Sequence, residues 1–234
     1  MKSYIIAFCS VILLASAGFS QSPAENDLFE KLAEGPNQAK ALETVLKAPD
    51  QFSSVILYFG ARAALKENRL EDSAFLFYAG QLRKQFDKEC FPPKGTGGDS
   101  PFVAFAALSQ QLGGIITPAA MAEPKVFAKV IERVKKWNPK APKEYDPGYE
   151  FTERKSEKDA HEAVKPYQTE FLSRLEDISS LLNDAEYFAA FRVIQAYRLA
   201  SDDKQRPTKD ENEKATETMN RIEKDKGLKG FFNK

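Results

Sequence analysis

Histidine is nearly missing from this chain of 234 residues: there is one, alongside two cysteines and one tryptophan. So thin a supply of imidazoles and thiols excludes a typical zinc centre, which draws three or four ligands from those residue types. It leaves Cys90 and His161 as the single thiol–imidazole couple for any cysteine chemistry. An excess of one charge is missing too, with 34 basic residues against 34 acidic ones. That balance argues against nucleic acid or an anionic membrane surface as the main partner. The glycine-rich stretch at 95–100 lacks the Gly-Lys-Ser/Thr ending of a phosphate loop and follows no strand. Acidic pairs such as Asp202-Asp203 and Asp210-Glu211 lack calcium-loop spacing. No catalytic, cofactor-binding or metal-binding residues are therefore expected, and no period-two pattern lasts long enough to predict a sheet.

What is present begins with an export pattern. Lys2 precedes an apolar run from about Tyr4 to Leu14, and small residues follow, which is the three-part layout of a secretory signal peptide. The run is too short for a membrane span, which needs about 20 apolar residues. Cleavage is expected after Ala17 or Ser20, so the signal peptide covers about residues 1–20. Cys9 lies inside the apolar run and follows bulky Phe8, so it does not mark a lipoprotein. The expected location is periplasmic or extracellular, with no transmembrane segment after cleavage. Loss of Cys9 leaves Cys90 as the sole thiol, which precludes an internal disulfide. If exposed, Cys90 would be able to link two copies.

The rest reads as helix after helix. Ser22, Pro23 and Glu25 form an N-terminal signature, and a short helix from Asn37 to Lys47 ends at Ala48-Pro49, with Asp50 placed to cap the next. Residues 52–86 carry apolar positions on more than half of two consecutive helices, broken at Asn68-Arg69. Ser100-Pro101 starts a helix that Gly113-Gly114 should stop, and Thr117-Pro118 and Glu123-Pro124 should start new turns. Val126, Val130, Val134 and Trp137 then recur at helical spacing, with Lys125, Lys129, Arg133 and Lys136 on the solvated side. A short polar helix is expected at 156–165, a long one from Pro166, a corner at Asn183-Asp184, and a second buried helix at 185–201. Those last two should form a hairpin.

The 52–86 hairpin resembles a tetratricopeptide repeat unit. That motif sets small residues where two antiparallel helices cross and large ones between them. Leu57 takes the first large position, Ala61 the first small one and Ala64 the next contact. In the second helix, Ser73 and Gly80 are small and Phe77 is the aromatic. Asn68 replaces the usual corner glycine and Gln85 the closing proline. The likeness spans one unit of about 34 residues, without a second copy. The whole chain also looks like uncharacterised bacterial secreted proteins, which imply no chemistry. The predicted fold is all-α, an irregular array of antiparallel helical hairpins.

A single helical domain is expected over 21–201, with a subdomain break at 138–151, and a charged helical tail over 202–234. The tail carries a Thr208–Glu211 capping box but only a thin apolar stripe, so a peripheral or frayed helix is predicted, with Phe231 and Phe232 docking back. Segment 138–151 holds three prolines and cannot be helical. Its Tyr145, Tyr149 and Phe151, with Trp137 at its entrance, are the candidate partner-binding residues, since aromatics beside prolines are common on recognition surfaces. The expected function is non-catalytic binding of a protein or peptide in a groove between helices. The alternatives are a periplasmic immunity-type inhibitor of a toxin, which would favour a charged groove, and a hydrolase using a carboxylate pair.

Overall fold

The computed structural model describes residues 23–34, 37–95, 101–200 and 205–228. The expected signal peptide, Ser22, Gly35-Pro36, most of the glycine-rich stretch and Phe231-Phe232 lie outside them. Among the described residues the protein is all-helical, with nine α-helices and no strand. They are α1 (Pro23–Glu34), α2 (Gln38–Lys47), α3 (Ser54–Lys66), α4 (Leu70–Cys90), α5 (Pro101–Met121), α6 (Pro124–Lys136), α7 (Glu157–Leu182), α8 (Ala185–Leu199) and α9 (Lys209–Asp225). A short 3₁₀ turn at Pro49–Gln51 separates α2 from α3.

Helices α3 and α4 form the centre because their sequence lets them approach closely. Asn68 turns the corner at φ 59°, a left-handed conformation that asparagine tolerates better than most residues. The Ser73 hydroxyl then donates to the Ala61 carbonyl of the facing helix at 2.8 Å. Gly80 lies against the Tyr58 ring so tightly that a Cβ there would sit 2.7 Å from it. Both helices are buried on nearly every side through their middles. Around this pair α1 and α2 cover α3, while α5, α6 and α7 cover α4.

Two expected helix breaks do not occur. Helix α5 runs unbroken through Gly113, Gly114 and Pro118, and α7 runs through Pro166. Gly113 serves close packing instead of a stop: a Cβ there would come within 2.9 Å of the Phe77 ring. A proline inside a helix orphans the carbonyl four residues earlier. Those carbonyls belong to Gly114 and Glu162, both exposed residues, so water can satisfy them. The costs are thereby small enough for packing of the flanking turns to offset.

The C-terminal pairing also departs from expectation. Asp184 caps α8 through the backbone N–H groups of Glu186 and Tyr187, so the corner at Asn183-Asp184 forms. Yet α8 packs chiefly on α9 and only lightly on α7. The tail helix carries the expected Thr208–Glu211 capping box. It buries Ala215, Met219 and Ile222, and the Tyr187 hydroxyl of α8 donates to Glu223 at 2.9 Å. Its thin stripe therefore suffices, because α8 offers a matching one.

Candidate functional site

Segment 138–151 crosses the end of α4 as a strap. Its backbone bonds to the chain leaving that helix, Lys94 N–H to Glu150 O at 3.0 Å and Thr152 N–H to Pro92 O at 2.8 Å, and a lone antiparallel bridge joins Pro93 to Phe151. The four candidate aromatics face inward. Trp137, Tyr145 and Tyr149 are 7%, 8% and 3% exposed, and Phe151 is half-buried. Tyr145 and Phe151 both pack on Phe91, at ring-centroid distances of 5.5 and 5.2 Å. Tyr149 lies edge-on to Phe102 at 5.1 Å and donates its hydroxyl to the Phe91 carbonyl at 3.0 Å. These rings pin the strap to the body and do not form the exposed recognition surface expected of them. Proline leaves the strap few ladder bonds, so ring burial takes over the work of holding it. Only a shallow depression of about 370 Å³ remains beside Tyr145, Tyr149 and Phe151.

Under the strap lies the most polar part of the interior. The Arg83 side chain is fully buried, with Nε 2.9 Å from Asp87 and 2.8 Å from the Tyr145 hydroxyl. The Tyr145 hydroxyl donates to the second Asp87 oxygen at 2.7 Å. Arg83 also donates to the carbonyls of Asp50 and Lys140, at 3.1 and 2.6 Å. Its guanidinium lies 3.8 Å from the centre of the Tyr145 ring. One cation thus ties α4, the turn before α3 and the strap together. Burial pushes Asp87 up to about 6 despite the pull of Arg83. On α1, Glu25 accepts from the Ser53 N–H at 3.2 Å, and burial lifts it to about 7. Asp50, expected to cap α3, pairs instead with Lys140 at 2.7 Å.

Cys90 is buried and donates to the Lys155 carbonyl at 3.4 Å, and burial raises its thiol to about 11. Enclosed in this way, it is not the exposed thiol that linking two copies would require. His161 is half-buried with its ring 4.7 Å from that of Phe86. Arg133, expected as a solvated charge, lies over the Phe75 ring at 4.3 Å and pairs with Glu71 and Asp72.

The surface opens elsewhere, between α4, α5 and α7, into a cleft of about 440 Å³. Aromatic rings form much of its wall. Phe77 and Tyr78 come from α4, and Tyr167 and Phe171 from α7, the latter two stacked at 5.9 Å. Tyr78 meets Phe171 edge-on at 6.0 Å and donates to Thr117 of α5 at 3.3 Å. Helix α5 supplies the opposite lip with Ser109, Gln110 and Gly113. It carries no charged residue in 21 positions, and its outer face of Val103, Ala106, Ala107, Gln110, Gln111 and Gly114 is exposed. Its Phe102–Met121 stretch is long and apolar enough by composition to cross a membrane, and it packs here on α3, α4 and α6. Among the described residues that line the cleft the charged ones are Glu170 and Arg174, one of each sign. Size and mixed lining are those of a small-ligand or side-chain site.

None of these cleft residues was assigned a functional role from the sequence. Phe77 and Tyr78 carry the mark of a core helix, and the three walls lie far apart along the chain. The signal that could have pointed here is the uncharged helix in a chain with 29% charged residues. Compared with known proteins, the chain matches no family model, no curated protein and no solved structure.

Proposed function

We propose that this is an exported, non-catalytic binding protein of the periplasm or extracellular space that holds a protein or peptide segment in the α4–α5–α7 cleft. The observation that carries the reading is that cleft: an open, ring-walled groove between helices with an uncharged lip. The α3–α4 hairpin supports it through its tetratricopeptide-like crossing at Ala61, Ser73 and Gly80, since such hairpins commonly present their grooves to peptides. Export rests on the Lys2, Tyr4–Leu14 and small-residue pattern of the N-terminus. The alternatives receive less support. A toxin inhibitor would favour a charged groove, whereas this one balances Glu170 with Arg174. For a hydrolase, the most perturbed carboxylates, Glu25 and Asp87, are committed to the Ser53 N–H and to Arg83 with Tyr145.

A photo-crosslinking residue at Gln110, on the cleft lip, should trap one discrete partner from the native compartment, and the same residue at Lys209 of α9 should not. Equal trapping from both positions, or none from Gln110, would defeat the reading.

A further inference from the structure

One side chain at the cleft is unexplained by folding. Tyr58 of α3 is fully buried, its ring 6.0 Å from Phe77 and in contact with Gly80. Among the described residues none meets its hydroxyl in good hydrogen-bonding geometry. The Ser109 hydroxyl lies close enough to act on it as a hydrogen-bonding group, and Tyr167 is a further polar neighbour. Both line the cleft, so the phenol ends just beneath the cleft floor. Burial raises its pKa, so it stays protonated and can donate. A phenylalanine would fill the same space against Phe77 and Gly80 without desolvating an oxygen. The oxygen is therefore a cost to the fold, and buried polar groups without a partner call for one.

We propose that the cleft receives the side chain of a tyrosine carried on an uncharged peptide segment, and that the Tyr58 hydroxyl recognises the phenol at its tip. This rests on the peptide-binding reading given above. A ring entering tip-first lies among Phe77, Tyr78, Tyr167 and Phe171, where edge and stacked contacts are available. Its hydroxyl then arrives at the floor, beside Tyr58 and Ser109. Tyr167 lines the cleft near this point and is only half-buried. The flanking peptide runs along the α5 lip, where the neutral side chain of Gln110 can bond its backbone. With no charge from α5 and only Glu170 and Arg174 from α7 on its lining, the cleft favours neither a cationic nor an anionic segment. A site built to bond a hydroxyl rejects the analogue that lacks it, because its own polar group is then left unpaired.

The test is a cycle of two proteins and two ligands. Capped, neutral pentapeptides with tyrosine, phenylalanine, lysine or glutamate at the centre are titrated calorimetrically into the mature protein and into Tyr58→Phe. The expected result is a tyrosine peptide bound at least about tenfold tighter than the phenylalanine one, a preference that shrinks below about twofold in Tyr58→Phe. The melting temperature of Tyr58→Phe should equal or exceed that of the parent, so lost binding is not lost folding. Equal binding of the tyrosine and phenylalanine peptides, or a preference surviving in Tyr58→Phe, overturns the inference and leaves the peptide site standing. Tighter binding of the lysine or glutamate peptide overturns the neutral class. If no peptide binds and the Gln110 crosslinker captures only a second copy of the chain, the inference and the peptide-binding reading both fall.

Discussion

Two aromatic clusters divide this molecule, and they differ in what happens to their hydroxyls. Beneath the strap, Tyr145 donates to Asp87 and accepts from Arg83, and Tyr149 donates to the Phe91 carbonyl. Both tyrosine hydroxyls there have a protein partner, their rings are buried, and a shallow depression lies beside them. At the cleft, Tyr167 and Phe171 are half-buried, and none of the described residues meets the Tyr58 hydroxyl in good geometry. Satisfied polar tips mark aromatics that hold the fold together. An orphaned tip beside an open groove marks aromatics kept for something else.

The largest expected effect breaks the first cluster. Arg83→Ala leaves Asp87 buried without its cation and frees the Asp50 and Lys140 carbonyls. The expected loss is about 3–5 kcal/mol, seen as a fall of roughly 10 °C in melting temperature. A loss under about 1 kcal/mol would mean the strap is held by its rings alone.

A second effect comes from pH. Glu25 ionises near 7 when folded, against an ordinary 4.5. The folded state therefore holds its proton more firmly, and stability falls as pH rises from about 4.5 to about 7, by about 3 kcal/mol. Asp87, raised to about 6, adds a fall of the same sign from about pH 4 to 6. Glu25→Gln keeps an acceptor for the Ser53 N–H and should remove the Glu25 share. Urea melts at pH 4.5 and 8 should then differ less in the variant than in the parent. An unchanged difference would place the ionisation elsewhere.

The comparison itself is sharpened by removing one oxygen at a time. Tyr145→Phe takes away the hydroxyl that Arg83 donates to and that donates to Asp87, and should cost about 1–3 kcal/mol. Tyr58→Phe removes an unpaired hydroxyl and should cost nothing or stabilise slightly. Equal losses in chemical denaturation would erase the distinction between the clusters. A modest effect lies outside both: Thr208→Ala removes the α9 capping box and should cost about 1 kcal/mol. Hydrogen exchange should locate that loss in the first turn of α9, leaving the strap unaffected.

Much of the helical layout was legible because helix ends are short-range events. The corner at Asn68, the start at Glu123-Pro124, the corner at Asn183-Asp184 and the Thr208–Glu211 box each involve residues within a turn of one another. Small residues at Ala61, Ser73 and Gly80 likewise signal a close crossing before the partner helix is seen. The misreadings share one cause. Gly113-Gly114 and Pro166 carry stop signals, but the neighbours that override them, Phe77 among them, lie far away in sequence. Likewise α8 carries an apolar stripe that does not say whether α7 or α9 will cover it.

The candidate site was the least legible part. Aromatics in a proline-rich loop read as a surface, and they proved buried because Phe91, Arg83 and Asp87 offered partners for their rings and hydroxyls. The cleft rings sit in helices whose apolar pattern reads as core.

By itself, then, the amino-acid sequence determined the all-helical class, most helix ends, the scarcity of thiols and imidazoles, and the tight α3–α4 hairpin. Those properties follow from residue type and from interactions within a few positions. Which aromatics are sealed and which line an opening was decided only by the tertiary structure. That outcome depends on whether a residue about 60 positions away brings an acceptor to a hydroxyl, as Asp87 does for Tyr145 over a separation of 58, and as none of the described residues does in good geometry for Tyr58.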